Sequence, residues 1–167
     1  QEDQTISGIT FNGDALTQVV SETDAINNIR QEQWVLVAPQ LGTFDIEITF
    51  SGATYCSMGW EAWAGINQAT PTGATATATG NDGTPTVTLN TTVDNSVVVD
   101  GLATALTPIV YTPGVGQTLN WDRTLNTDTR QGGSSAQPAG TAVDAVIMNW
   151  TMTQSTNWVM TAVEMIG

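Results

Sequence analysis

Between Phe44 and Phe50 the chain alternates strictly. Phe44, Ile46, Ile48 and Phe50 fall on one side of an extended backbone, and Asp45, Glu47 and Thr49 on the other. A 3.6-residue period cannot gather that pattern on one face, so the segment reads as a half-buried strand with one wet side. The same logic runs along the chain. Thr5 to Phe11 is β-rich and ends at Asn12-Gly13, a strong hairpin signal leading into Ala15 to Val20. Gln33 to Ala38 stops at Pro39, and the turn Pro39 to Gly42 predicts a hairpin with Phe44 to Phe50. Tyr55 to Ala64 is apolar and aromatic and closes at Gly65. Thr84 to Thr92 alternates through Val87 and Leu89. Ser96 to Leu102 carries Val97, Val98 and Val99 in succession, as in a strand covered on both faces. Gln117 to Leu125, Ala142 to Thr153 and Asn157 to Ile166 complete the strand candidates.

Two low-complexity stretches differ in kind. Thr70 to Pro85, rich in alternating Ala and Thr, suits an exposed edge strand or a Thr-rich face. Arg130 to Gly140 is rich in Gly, Ser and Pro and is the expected mobile loop. The best helix candidate, Glu22 to Glu32, holds two asparagines between strands, so a loop with at most one turn is expected there. About ten short strands with regular turn signals predict an antiparallel β-sandwich of jelly-roll type, one domain over residues 1–167.

The size suffices for a substantial core without staples, and with one cysteine, Cys56, no internal disulfide can form. No apolar run approaches the ~20 residues that span a bilayer, and no signal-peptide pattern is present. The chain begins at Gln1, which suggests a processed or trimmed form. The charge is lopsided: no lysine, no histidine, three arginines (Arg30, Arg123, Arg130) and 16 acidic residues, for a net −13. Phosphate neutralisation needs clustered cations, so nucleic acid and anionic membrane surfaces are excluded as partners. Arg123 and Arg130 flank a polar stretch where trypsin is expected to cut first.

Without histidine there is no Ser-His-Asp or Cys-His machinery, and without lysine no Ser-Lys dyad, Schiff base or phosphate-cradling lysine. No nucleotide-binding glycine motif appears, and one cysteine makes no zinc site. The expectation is a protein that is not an enzyme and carries no cofactor. The remaining catalytic option is a carboxylate pair, as in glycoside hydrolysis. Asp45 and Glu47 sit about 6–7 Å apart on one strand face, and Glu61 lies between Trp60 and Trp63. A solvated acidic face accounts for both. Calcium would need oxygen ligands gathered in a loop; Asn81-Asp82, Asp94-Asn95, Asp122 and Asp128 are the candidates, and turn chemistry explains them equally well.

Cys56, in an apolar run, is expected to be a small buried hydrophobe, with an intermolecular disulfide as the alternative. Of the six tryptophans most are expected to pack. Trp60 and Trp63 would point to opposite faces of a regular strand, so one should be core. Trp121, beside Asp122, is the candidate for glycan stacking. Two sequons, at Asn90 and Asn149, are candidate glycosylation sites, Asn90 the more accessible.

Ile9 to Thr17, Trp34 to Pro39 with Gly42-Thr43, Ile48 to Gly52, Ala64 to Pro71, Gly114 to Trp121 and the closing Trp150 and Trp158 together resemble a β-sandwich module. That module occurs in secreted bacterial and archaeal surface proteins and in phage-associated proteins. The resemblance covers nearly the whole chain and implies the sandwich fold, with an extracellular, cell-surface or virion location. In such modules an apolar strand precedes the stretch matching Gln1 to Thr5, and here nothing does. Either the chain is trimmed, or the domain completes itself differently, or a second subunit supplies that strand; the last alternative makes Thr5, Ile6, Ile9 and Phe11 an expected subunit-contact edge. The function expected is a structural subunit of a surface or virion assembly, a homo-oligomer or polymer. The alternative is a carbohydrate-binding or adhesive module.

Overall fold

The computed structural model describes residues 4–105, 109–124, 131–142 and 145–167. Every regular element among them is a β-strand. The main sheet runs in the order β10 (Thr118–Thr124), β11 (Gln131–Pro138), β8 (Val97–Thr104), β13 (Thr156–Met165) and β6 (Thr72–Asp82). Facing it is a smaller sheet of β7 (Thr86–Asn90), β12 (Ala145–Met152) and β9 (Tyr111–Pro113). A third layer is the hairpin of β3 (Thr17–Asp24) and β4 (Ile29–Val35). A fourth sheet comprises β2 (Asp14–Ala15), β1 (Ile6–Phe11) and β5 (Ile46–Phe50). Each neighbouring pair is antiparallel.

The core follows from alternation. Along β12, Val146, Met148, Trp150 and Met152 are buried while Ala145, Ile147, Asn149 and Thr151 face out. They meet Val87 and Leu89 of β7 on their own layer, and Val98, Leu102, Trp158, Met160 and Ala162 across it. Burying each such side chain contributes about 1.5–3 kcal/mol. Tyr111 packs edge-on to Trp150, ring centres 5.8 Å apart. The opposite face of β8 and β13 is also covered, by the β3–β4 hairpin. Gln33 Nε2 crosses to the Val99 carbonyl, the Thr161 carbonyl and Thr161 Oγ1 at 3.3, 3.3 and 3.0 Å. Val99, Val159 and Val163 are accordingly buried; in the run Val97-Val98-Val99, Val98 and Val99 are buried on opposite faces, as expected, and Val97 is half-buried.

Glu164, on β13, is fully buried. Its carboxylate accepts the backbone N–H groups of Ala74, Thr92 and Val93 and the Thr92 hydroxyl, at 2.8–3.1 Å. One side chain thereby ties β13, β6 and the segment after β7 together. Gly73 makes this approach feasible, because a Cβ there would collide with Glu164 Oε2.

The all-β, sandwich-like fold is as expected, with thirteen strands among the described residues rather than about ten. The Asn12-Gly13 hairpin forms, both residues at positive φ (52° and 84°), the geometry of a type I′ turn. Thr72 to Asp82 is an edge strand, as its composition suggests. Four expectations fail. The predicted hairpin at Pro39 does not form. β4 pairs with β3 through the short turn Ala25 to Asn28, and β5 pairs with β1. A near neighbour closes at lower entropic cost than the longer loop 36–45. Tyr55 to Ala64 forms no strand. Gln131 to Pro138, expected as a mobile loop, is a strand inside the main sheet. There a Cβ on Gly132 would collide with Ser57 Oγ, and the rings of Trp121, Tyr111 and Trp150 lie in contact with the two glycines, 3.3–3.5 Å from where a Cβ would be. Glu22 to Glu32 is the end of β3, its turn and the start of β4. Leu125, Asp128 and Arg130 lie outside the described residues. Among the described residues no helix is long and apolar enough to cross a membrane.

Candidate functional site

Between the β2–β1–β5 sheet and the rest of the molecule lies an open cleft of about 940 Å³. Its first wall is built by register. Ile6 stands opposite Phe50, Ile9 opposite Ile48 and Phe11 opposite Ile46. Strict alternation would send Ile6 to the other face from Ile9 and Phe11. An irregularity between Ile6 and Gly8 absorbs one residue, Ser7, and restores Ile6 to the apolar side. All six of these side chains line the cleft, while Glu47 and Thr49 point to solvent as predicted.

The second wall is β4. Consecutive residues from Asn28 to Pro39 border the cleft, odd and even alike. A strand's face offers alternate residues; an edge offers all of them. β4 pairs only with β3, so this wall includes a strand edge without a strand partner among the described residues. Glu32 is its polar hub. It takes the Arg30 guanidinium, the Trp34 indole N–H at 2.7 Å and the Gln18 amide at 2.7 Å. Arg30 also reaches Thr23 Oγ1 at 2.8 Å. Of the two arginines in the described residues, this one is committed internally and Arg123 is exposed.

The mouth is the irregular segment 51–71, which carries Tyr55, Cys56, Met58, Trp60 and Trp63, all exposed. It is anchored at several points. Asn67 N donates to the Ile166 carbonyl at 2.8 Å. Glu61 accepts the Asn120 amide at 2.8 Å and the Ser134 hydroxyl at 3.0 Å. The Trp121 indole lies flush on Gly59, where a Cβ would run into the ring.

Several sequence expectations are corrected here. Trp60 is 72% exposed and Trp63 38%, so neither is core; without a strand, opposite facing does not apply. Cys56 is a free, exposed thiol rather than a buried hydrophobe. Trp121 is half-buried under Gly59, not an open platform, and Asp122 is exposed beside it. Trp150 and Trp158 are core. Asn90 and Asn149 are both exposed. The strand around Thr5, Ile6, Ile9 and Phe11 is flanked on both sides, by β5 along its length and by β2 at Thr10 and Phe11.

Two carboxylates are held by neighbouring serines without sharing a site. Ser134 bonds Glu61, and Ser135 bonds Asp100 through its N–H at 2.6 Å and its hydroxyl at 3.0 Å. Consecutive residues of a strand face opposite ways. Glu61 and Asp100 both border the cleft, but the Asp100 carboxyl is turned into the sandwich, where it accepts the Trp150 indole N–H. A retaining or inverting hydrolase needs both carboxyls on one substrate, and this pair straddles the sheet. Asp45 and Glu47 share the wet face of their strand region, away from the cleft. Among the described residues no group of three or more His, Cys, Asp or Glu is gathered to hold a metal ion. Asp82 serves a turn, its Oδ1 accepting Thr84 N at 2.8 Å, whereas Asp94 ties its loop to a distant segment, its Oδ1 accepting Ala142 N at 2.7 Å.

In comparisons with known proteins, no family model, no curated protein and no solved structure matched this chain.

Sequence reading missed Asp100 and Glu164 as buried acids. The signal was present: each is the one charge in an otherwise uncharged, largely apolar strand, a position that has to be hydrogen-bonded or neutral.

Proposed function

We propose that this chain is a non-enzymatic structural subunit of an extracellular or virion surface assembly, completed by a strand from a neighbouring subunit lying in the cleft. The observation that carries this reading is the cleft's construction. An apolar strand face stands across from a strand edge, and those two surfaces together suit an extended polypeptide. Its apolar residues would meet Ile9, Ile48 and Phe50, and its backbone would pair with β4. A ligand pocket of this size more commonly presents convergent polar groups on a closed wall. The Lys-free, acidic surface and the resemblance to secreted surface modules support the same reading.

Sedimentation velocity and negative-stain imaging test it. Wild-type chain should form species larger than a dimer, and I48D, which sets a charge in the apolar wall, should stay small while keeping its β-sheet circular dichroism. A wild type that never exceeds a dimer, or an I48D protein that polymerises as well as wild type, would sink the reading.

One observation favours a second reading, a carbohydrate-binding module. Tyr55, Trp60 and Trp63 are exposed and line the same cleft as Glu61, a combination of ring faces and acceptor that suits sugars. A glycan array checks this. Binding lost in W60A would support it, and no signal on any glycan would remove it.

A further inference from the structure

The main sheet ends at β6, and that end is unusual in what it lacks. β6 pairs with β13 along one side and, among the described residues, has no strand hydrogen-bonded on the other, although β3 lies against it and its Glu22 accepts the Thr77 hydroxyl. Sheet edges are ordinarily blunted by lysine, proline, inward charge or a very short strand. β6 is 11 residues long and carries neither charge nor proline from Thr72 to Gly80. Its one irregularity falls between Thr72 and Thr75, where the Glu164 carboxylate enters, so Thr75 onward is regular strand. Along it Thr75, Thr77 and Thr79 are exposed, while Ala74, Ala76 and Ala78 pack on the core yet stay only half-buried. The sandwich is thus left ajar at this edge.

We propose that β6 is a homodimer edge, two copies pairing antiparallel about a two-fold axis at Thr77 and joining their main sheets into one. The sequence is self-complementary in that register. Thr75 falls opposite Thr79 of the second copy, Ala76 opposite Ala78, and Thr77 opposite itself. Residues directly opposite in an antiparallel pair share a face, so the threonine rows join outside and the alanine rows join over the core. A shift by one residue would set threonine against alanine and turn one subunit's core to solvent. This matching makes a second copy of this chain a fitting occupant, because its two rows meet like with like and no further sequence is required. Two-fold, self-complementary contacts are also the commonest oligomer geometry. One feature opposes the contact. Thr77 Oγ1 donates to Glu22, so two Glu22 carboxylates approach the axis, and association should strengthen as salt screens them. The contact is separate from the cleft, and the two can fail independently.

Sedimentation equilibrium over a range of concentrations and ionic strengths tests it. With the cleft contact removed by I48D, the chain should move between 17.6 kDa and twice that mass, further toward dimer at high salt, and the variants that follow are made in that background. T75E/T79E and T75K/T79K alter exposed side chains only and should keep the I48D melting temperature. Each alone should be monomeric, because like charges fall opposite. Mixed in equal amounts, they should recover a dimer. E22Q should dimerise at least tenfold more tightly at low salt. An I48D chain that stays at 17.6 kDa throughout, or an oligomer that the T75E/T79E protein forms equally well, overturns the proposal. A wild-type polymer beside a monomeric I48D chain would overturn this contact and leave the cleft reading standing.

Discussion

The indole Nε1–H of Trp150 donates to the Asp100 carboxylate at 2.7 Å, linking a strand of the smaller sheet to one of the main sheet through the middle of the core. The other carboxylate oxygen holds Ser135 by its N–H and its hydroxyl. Burial pushes this carboxyl up from 3.8 to about 7, against the pull of the Ser135 and Trp150 donors and with the charge of Glu61 adding to it. The folded chain then keeps a proton that the unfolded chain releases. The stability this group contributes is complete below about pH 4, falls as pH rises, and is gone above about pH 7. Urea midpoints measured from pH 4 to pH 8 should show that fall in the wild type, on the order of a few kcal/mol. In D100N the same window should be flatter. Parallel profiles for the two proteins would contradict the assignment.

Glu164 works with the opposite sign. Burial disfavours its charge, but the N–H groups of Ala74, Thr92 and Val93 and the Thr92 hydroxyl outweigh that and hold it down from 4.5 to about 2. Its contribution is present above about pH 4.5 and is lost as pH falls toward 2. E164Q should cost about 2–3 kcal/mol at neutral pH, since donors to a charged acceptor are left poorly matched. G73A should cost a similar amount by evicting the same carboxylate, and the two together should cost clearly less than their sum. Additive losses in thermal or chemical unfolding would mean that the two changes act on different contacts.

How far the sequence carries is clearest by element. β5, β7 and β12 alternate, each has one wet face, and their bounds are legible to within a few residues. Gly132 and Gly133 hide β11, because their composition suggests a loop where the two glycines instead lie in a strand packed against Ser57 and three aromatic rings. Tyr55 to Ala64 misleads in the other direction. It is apolar without being periodic, and those side chains rim a cleft rather than fill a core. The partners of β1 and β5 depend on register between segments some forty residues apart, which local pattern does not encode. The cleft itself is a relation between separate sheets, so only its individual walls could be foreseen.

Trypsin has three sites in this chain. Arg30 is engaged by Glu32 and Thr23 inside the cleft wall, whereas Arg123 is exposed on the outermost strand of the main sheet. Native digestion should therefore cut after Arg123 or Arg130 before Arg30. Mass spectrometry of early time points would show it, and a first fragment ending at Arg30 would contradict the structure.

Cys56 should react completely with a thiol reagent in the folded protein, one equivalent per chain, without denaturant. Partial burial of the sulfur, with the charge of Glu32 nearby, holds its thiol above 9.0, so labelling should quicken as pH rises. A thiol silent until urea is added would place segment 51–71 differently.

Ser7 governs shape rather than phase. In a chain lacking it, Ile6, Ile9 and Phe11 would fall into plain alternation with no bulge needed, facing the same way they do now. The additional residue is therefore not what points those side chains inward. It lengthens one strand relative to its partner, which coils the pair more tightly. The curvature of the cleft's lip, rather than its greasiness, is what a single serine sets.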